Sequence, residues 1–149
     1  MQEKFLPEEI SNTVKLTDKC SISFEFTGYH LPKFEIPNKE QDTYEYLRWL
    51  CYNGLKEKGL GNKKEYIDRL EYELNQIHIM DLEDYFLVVS DYMRWCDNTN
   101  IPRGQARGSS GGSLVCYLSG ATNIDPLKHD LIFERFLNKG RMLIYDFGV

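Results

Sequence analysis

No two cysteines of this 149-residue chain stand close together: Cys20, Cys51, Cys96 and Cys116 include no Cys-x-x-Cys pair. That spacing argues against a zinc site or a disulfide framework and reads as isolated, buried thiols. His30, His78 and His129 are as scattered, and each reads as a surface or packing residue rather than a metal ligand. No apolar run approaches the length of a membrane span, and the N-terminus, Met1 to Glu9, has no signal-peptide core. The expectation is a cytoplasmic protein without membrane contact. Positive charge is also short, with 18 Lys and Arg against 23 Asp and Glu and a net charge of −5. A protein that grips nucleic acid over its whole surface would carry the opposite sign. No lysine occurs between Asn100 and Pro126, which rules out the common ATPase loop ending in Gly-Lys-Ser/Thr. There is no internal repeat and no low-complexity segment.

What is present fits a globular chain. Hydrophobic residues make up 42% and aromatics 13%, and a chain of this length buries roughly 70% of its extended surface. Charge is unevenly spread. Residues 1–93 hold 11 Lys and Arg against 18 Asp and Glu, and residues 94–149 hold 7 against 5. Arg94, Arg103, Arg107, Arg135 and Arg141 all fall in the second part, around a run of glycines. Arginine suits phosphate because its planar fork donates two parallel hydrogen bonds.

Apolar spacing sets the elements. Pro7 to Cys20 reads as a short helix, with Ile10, Val14 and Thr17 on one face, and Ile22 to Phe26 alternates like a brief strand. Gly28 to Asn38, with Pro32 and Pro37, is an extended connector and a candidate domain boundary. Three longer helices follow: Asp42 to Lys58, Lys63 to Met80 and Asp81 to Asn98. Phe86, Val89, Tyr92, Met93 and Cys96 are available for burial on the third. Its Tyr85 to Val89 run is also compatible with a buried strand. Trp49 and Trp95 lie on helical faces and read as core rather than as base-stacking residues. Ser110 to Leu118 should be helical and end at Gly120, and Pro126 should start a turn. Leu131 to Leu137 is a short helix or extended piece, and Met142 to Phe147 reads as a strand. The class is α+β, predominantly helical.

The glycine run carries the chemistry. Arg103-Gly-Gln-Ala-Arg-Gly-Ser-Ser-Gly-Gly-Ser113 opens onto the apolar segment Leu114 to Leu118. Glycines let backbone N–H groups turn inward without Cβ obstruction, and a helix start adds unpaired N–H groups and partial positive charge. Arg107 and Ser109 add a charged fork and a hydroxyl. The spacing Arg-Gly-Ser-x-x-Gly-Ser, carried by Arg107, Gly108, Ser109, Gly112 and Ser113, is that of a phosphate cradle. The plain alternative is a flexible linker.

These residues carry a resemblance. Arg69-Leu-Glu-Tyr-Glu-Leu74, Asp84-Tyr-Phe-Leu-Val-Val89, Asp91-Tyr-Met-Arg-Trp95 and Ile101-Pro102 lead into the loop. Asn123-Ile-Asp-Pro-Leu127 and Phe133-Glu-Arg-Phe-Leu-Asn138 follow it. From about Pro7 to Asp146 the chain resembles the alpha subunits of bacterial DNA polymerase III, the C-family replicative polymerases. The resemblance implies that residues 1–38 are a remnant and connector from a PHP-type domain. It implies that residues 39–149 are the N-terminal part of a polymerase palm, of the polymerase-beta-like nucleotidyltransferase type. It implies DNA-directed DNA polymerase ancestry, with Arg107, Gly108, Ser109, Gly112, Ser113, Arg135 and Arg141 near the triphosphate of an incoming deoxynucleotide. For Arg135, a surface ion pair with Glu134 or Asp130 is an equal alternative. Asp125, before Pro126, reads as a turn residue.

The resemblance also implies a two-Mg²⁺ site built on aspartates one residue apart, because such ions need converging carboxylates. Here Asp146 takes the first position as catalytic and metal-binding residue, whereas Gly148 takes the second. Leu143, Ile144 and Tyr145 depart from the family pattern just before it, and Gly104-Gln105-Ala106 replaces its Gly-Pro-Gly. The expectation is a polymerase fragment, inactive alone, that acts with primer-template DNA and a second polypeptide supplying the rest of the enzyme. The alternatives are a non-catalytic nucleotide- or phosphate-binding domain and a remnant without activity.

Overall fold

The computed structural model describes residues 4–21, 23, 32–37, 42–138 and 140. The chain forms two compact units, Met1–His30 and Leu31–Val149. In the first, α1 spans Pro7–Thr17. Proline opens it with its preset φ, and the Leu6 N–H donates to Glu9 Oε2 at 2.8 Å. None of its residues is buried.

The second unit is helical. α2 (Thr43–Glu57) starts where the Asp42 side chain accepts the Glu45 N–H at 2.7 Å. Its residues Leu47, Leu50, Cys51 and Leu55 fall on one stripe and are buried. α3 (Lys64–Ile79) buries Tyr66, Leu70, Leu74 and Ile77, and α4 (Glu83–Asn98) buries Phe86 and Leu87. The chain turns between α3 and α4 at Asp81, whose φ is +52°.

The apolar segment after the glycine loop is α5, Leu114–Ser119, only six residues long and buried at Leu114, Val115, Cys116, Leu118 and Ser119. α2, α3 and α4 all pack on it. The three long helices therefore meet around a fourth, short one. At the closest approach, a Cβ added to Gly54 of α2 would lie 2.1 Å from the Leu118 carbonyl oxygen of α5. α5 ends at Gly120 in the left-handed region (φ +88°).

Several expectations change. The helix anticipated over Ser110 to Leu118 is two pieces: a 3₁₀ helix, Gly108–Gly112, and α5. Ser113 separates them in extended backbone because its side chain caps α5, accepting the Cys116 N–H at 3.2 Å. Trp49 and Trp95 are not core residues; they are 51% and 57% exposed, and Tyr92 is exposed as well. The buried arcs of α2 and α4 are filled by smaller side chains on the opposite side of each helix. Tyr85 to Val89 is helix, and Leu131 to Leu137 holds one 3₁₀ turn, Phe133–Arg135. Cys51 and Cys116 are buried as expected, whereas Cys20 is exposed. Among the described residues there is no strand. The two expected strands, Ile22 to Phe26 and Met142 to Phe147, fall almost entirely outside the described residues. On those residues the second unit is predominantly helical.

Candidate functional site

The glycine loop is tied down at both ends. The Asn123 N–H donates to the Gln105 carbonyl at 2.7 Å, closing the loop against the segment after α5. Ser110 Oγ donates to the Arg107 carbonyl at 2.6 Å and accepts the Arg107 N–H at 3.3 Å. Between them Gly108, at φ +55°, turns the backbone into the 3₁₀ helix in a conformation that Cβ-bearing residues rarely adopt. Gly112 is pressed on the chain beyond: a Cβ there would lie 2.8 Å from the Ile132 oxygen. The departure at Ala106 does not force strain, since Ala106 has no positive φ.

A cleft of about 550 Å³ lies along this loop, lined by Gly108, Ser109, Gly112, Asp130 and Arg135 among others. Arg135 takes part in no ion pair among the described residues. Its neighbour Glu134 instead accepts the Tyr72 hydroxyl at 2.7 Å. Arg107 is exposed and lines an adjoining cleft with Tyr85, Tyr92 and Phe136. Arg141 and Asp146 lie outside the described residues. Asp125 is a turn residue, as its composition suggested: Oδ1 accepts the Leu127 and Lys128 N–H groups at 3.1 and 3.3 Å. Its Oδ2 accepts the Tyr66 hydroxyl at 2.8 Å. Burial and this carboxylate together push the Tyr66 phenol up to about 12.

Two expectations about the cradle are corrected. The start of α5 does not offer its N–H groups to a ligand. The Val115 N–H donates to Glu73 Oε2 at 3.0 Å, and the Cys116 N–H is taken by Ser113. Nor do all the arginines gather at the glycines. Arg103 turns to Asp97, with Nε and Nη2 each 2.6 Å from its carboxylate oxygens. That guanidinium holds the Asp97 carboxyl below the usual carboxylate range.

Glu73 is the functional surprise. It is fully buried on α3, and it accepts Ser113 Oγ at 2.9 Å as well as the Val115 N–H. Arg69 Nε donates to its other oxygen at 2.7 Å, and Arg69 Nη2 reaches the Gly112 and Leu131 carbonyls at 3.1 and 3.2 Å. One ion pair thus clamps α3, the end of the glycine loop, α5 and the far wall of the cleft. Burial pushes the Glu73 carboxyl above its ordinary value, while the Leu114 and Val115 N–H groups and Arg69 pull against it. Ser113 therefore belongs to the framework under the loop. Sequence held a signal for this: Glu73 sits three residues after Leu70 and four before Ile77, on the stripe that is otherwise apolar.

Among the described residues no three His, Cys, Asp or Glu side chains come together as a metal site. Asp146, the residue that the resemblance makes a metal ligand, lies outside them. No helix among them is long and apolar enough to cross a membrane.

Residues 45–149 match the family described as the bacterial DNA polymerase III alpha NTPase domain. The chain is 45% identical over 145 residues to the DNA polymerase III subunit alpha of Aquifex aeolicus, covering 93% of this chain and 12% of that protein. It is 46% identical over 141 residues to that of Halalkalibacterium halodurans, covering 94% and 12%. The subunit of Escherichia coli is 38% identical over 154 residues, covering 97% and 13%. The chain therefore spans about an eighth of the length of these curated relatives.

Proposed function

The chain belongs to the bacterial DNA polymerase III alpha family, and on that premise we propose that its glycine-loop cleft receives the triphosphate of a deoxynucleotide for template-directed nucleotidyl transfer. The observation that carries this reading is the pairing, in one cleft, of the Gly108–Ser109 turn with Arg135, which makes no ion pair among the described residues although Asp130 lines the same cleft. A polyanion entering there meets a hydroxyl, turned backbone and a guanidinium, and each charged hydrogen bond contributes roughly 1.5–3 kcal/mol. Arg107, exposed at the head of the loop and lining the adjoining cleft, adds positive charge beside it. Gly112 and Ser113 hold the loop in place through Ile132 and Glu73.

The chain spans about an eighth of its relatives' length, so the rest of the reading is part of the proposal. It comprises a polymerase palm of the α+β nucleotidyltransferase type, a cytoplasmic location, primer-template DNA, Mg²⁺ and a second polypeptide completing the enzyme. One observation favours a second reading, a phosphate-binding domain without catalysis: the resemblance puts Gly148, not an aspartate, at the second metal position.

Titration of the labelled protein with a deoxynucleoside triphosphate, followed by NMR, tests the cleft. Shifts should centre on Gly108, Ser109 and Arg135, with a dissociation constant of about a millimolar and little preference among bases. Arg107→Ala and Arg135→Ala should weaken binding, whereas Arg48→Ala, paired with Glu71 at 2.9 Å, should not. Equal binding by the Arg107 and Arg135 variants would remove the proposal.

A further inference from the structure

We propose, resting on the reading of the glycine-loop cleft as a phosphate site, that Arg69 is its positioning residue. From α3 it fixes the spacing of the two walls for a ligand that spans them, a chain of phosphates rather than a single one. One wall is the 3₁₀ helix Gly108–Gly112, and the other is the segment from Asp130 to Arg135. Among the described residues no backbone hydrogen bond runs from one wall to the other. Arg69 makes the connection instead. Its Nη2 donates to the Gly112 carbonyl at 3.1 Å and to the Leu131 carbonyl at 3.2 Å, one from each wall.

This strut is held at its root. Leu70 and Leu74, both fully buried, anchor α3, and Glu73 orients the guanidinium by accepting Nε at 2.7 Å. Glu73 is fixed in turn by the Ser113 hydroxyl and the Val115 N–H. The guanidinium is planar, so a fork held at Nε cannot swing Nη2 away from the two carbonyls on its own. At the closest approach of the walls Gly112 has no side chain to keep them apart, and a Cβ there would lie 2.8 Å from the Ile132 oxygen. Ser109 and Arg135 stand on opposite walls of the cleft. A single phosphate is served by the groups of one wall. A chain of phosphates reaches both, and it binds more tightly when their spacing is set beforehand. Because Glu73 pairs with the Arg69 charge, Arg69 acts here through geometry and not as an added cation.

The test compares inorganic tripolyphosphate with orthophosphate, each titrated into the labelled protein and followed by NMR at Ser109 and Arg135. Wild type should bind tripolyphosphate about ten-fold more tightly than orthophosphate. Arg69→Lys keeps a positive charge beside Glu73 but brings one donor nitrogen where the fork uses two. It should weaken tripolyphosphate about ten-fold and change orthophosphate by less than about two-fold, whereas a general loosening of the fold would weaken both alike. A second readout needs no variant: in wild type, exchange of the Arg69 Nε proton with solvent should slow with tripolyphosphate and not with orthophosphate. Unchanged tripolyphosphate binding by Arg69→Lys, equal losses for the two probes, or an Nε proton indifferent to tripolyphosphate would overturn the proposal while leaving the cleft reading intact. Wild type that takes neither probe at Ser109 would remove the cleft reading, and the role of Arg69 with it.

Discussion

The Glu73 carboxylate accepts the N–H of Val115 at 3.0 Å, across 42 residues of sequence. It places a buried negative group against the start of α5, where the helix's partial charge is positive. At the other end Ser90 Oγ donates to the Ser119 carbonyl at 2.6 Å. A helix of six residues does not hold by itself in water. Side chains from α3 and α4 satisfy both of its ends, and α2 covers it at Gly54.

Removing Glu73 should therefore be among the most damaging single changes in the chain. Glu73→Ala leaves Arg69 Nε, the Ser113 hydroxyl and the Val115 N–H without their acceptor, and we expect a loss of about 3–5 kcal/mol. Urea unfolding measures it. A loss under about 1 kcal/mol would mean that the clamp does not hold the loop.

The same group sets a pH dependence. Its folded-state value is raised above the ordinary 4.5, chiefly by burial. Between those two values the folded state binds more protons than the unfolded state, so the Glu73 contribution to stability falls as pH rises through that window. Glu71 works in the opposite sense: burial pushes it up, but Tyr52 and Arg48 outweigh that and lower it. Its contribution is present above 4.5 and is lost as pH falls. Comparing wild type with Glu73→Gln isolates the first effect. The difference between the two should change across the window and level off above it; a difference independent of pH contradicts the assignment.

Gly54→Ala should destabilise the fold although alanine is the better helix former. Its methyl would meet the Leu118 carbonyl oxygen at 2.1 Å, which is backbone and cannot swing aside. Overpacking of this kind costs about 1–3 kcal/mol or more. Circular dichroism during thermal unfolding should show a lower midpoint. An unchanged or higher midpoint would show that α2 and α5 can separate freely.

Purified as 149 residues, the chain should extend no primer with Mg²⁺ and deoxynucleotides. Of the aspartate pair that the resemblance implies, it has Asp146 but Gly148 in place of the second, and two such ions require several converging carboxylates. Template-dependent incorporation that disappears in Asp146→Asn is the result that would refute this.

Much of this architecture is legible in the sequence, for physical reasons. The extents of α2, α3 and α4 follow from an apolar period with clear stops, such as Asp42 at the start of α2 and Gly59, at φ +67°, after its end. Gly120 marks the end of α5 in the same way. The orientation of the tryptophans was available too. Trp49 lies two residues from Leu47, about 200° around the helix, and Trp95 nine from Phe86, about 180°. A place on a helical face reads as core, and the angular position on that helix says otherwise. Glu73 and Arg103 were harder to read. The place of Glu73 on an apolar stripe was a mark of burial, but its partners and those of Arg103, Val115 and Asn123 among them, come from segments that only the folded chain brings alongside.

The central position of α5 has a consequence for how the chain is made. On a ribosome, α2 and α3 are complete at Ile79, but the segment that covers them begins at Leu114, thirty-five residues later. At a synthesis rate of about 5–20 residues per second, α5 starts to emerge about 2–7 seconds later, with α4 in the meantime able to pack on α2. During that delay Glu73, having no N–H groups to accept, stays hydrated and charged in the middle of the α3 stripe. The residue that later locks the core thus begins as a hydrated charge on that stripe.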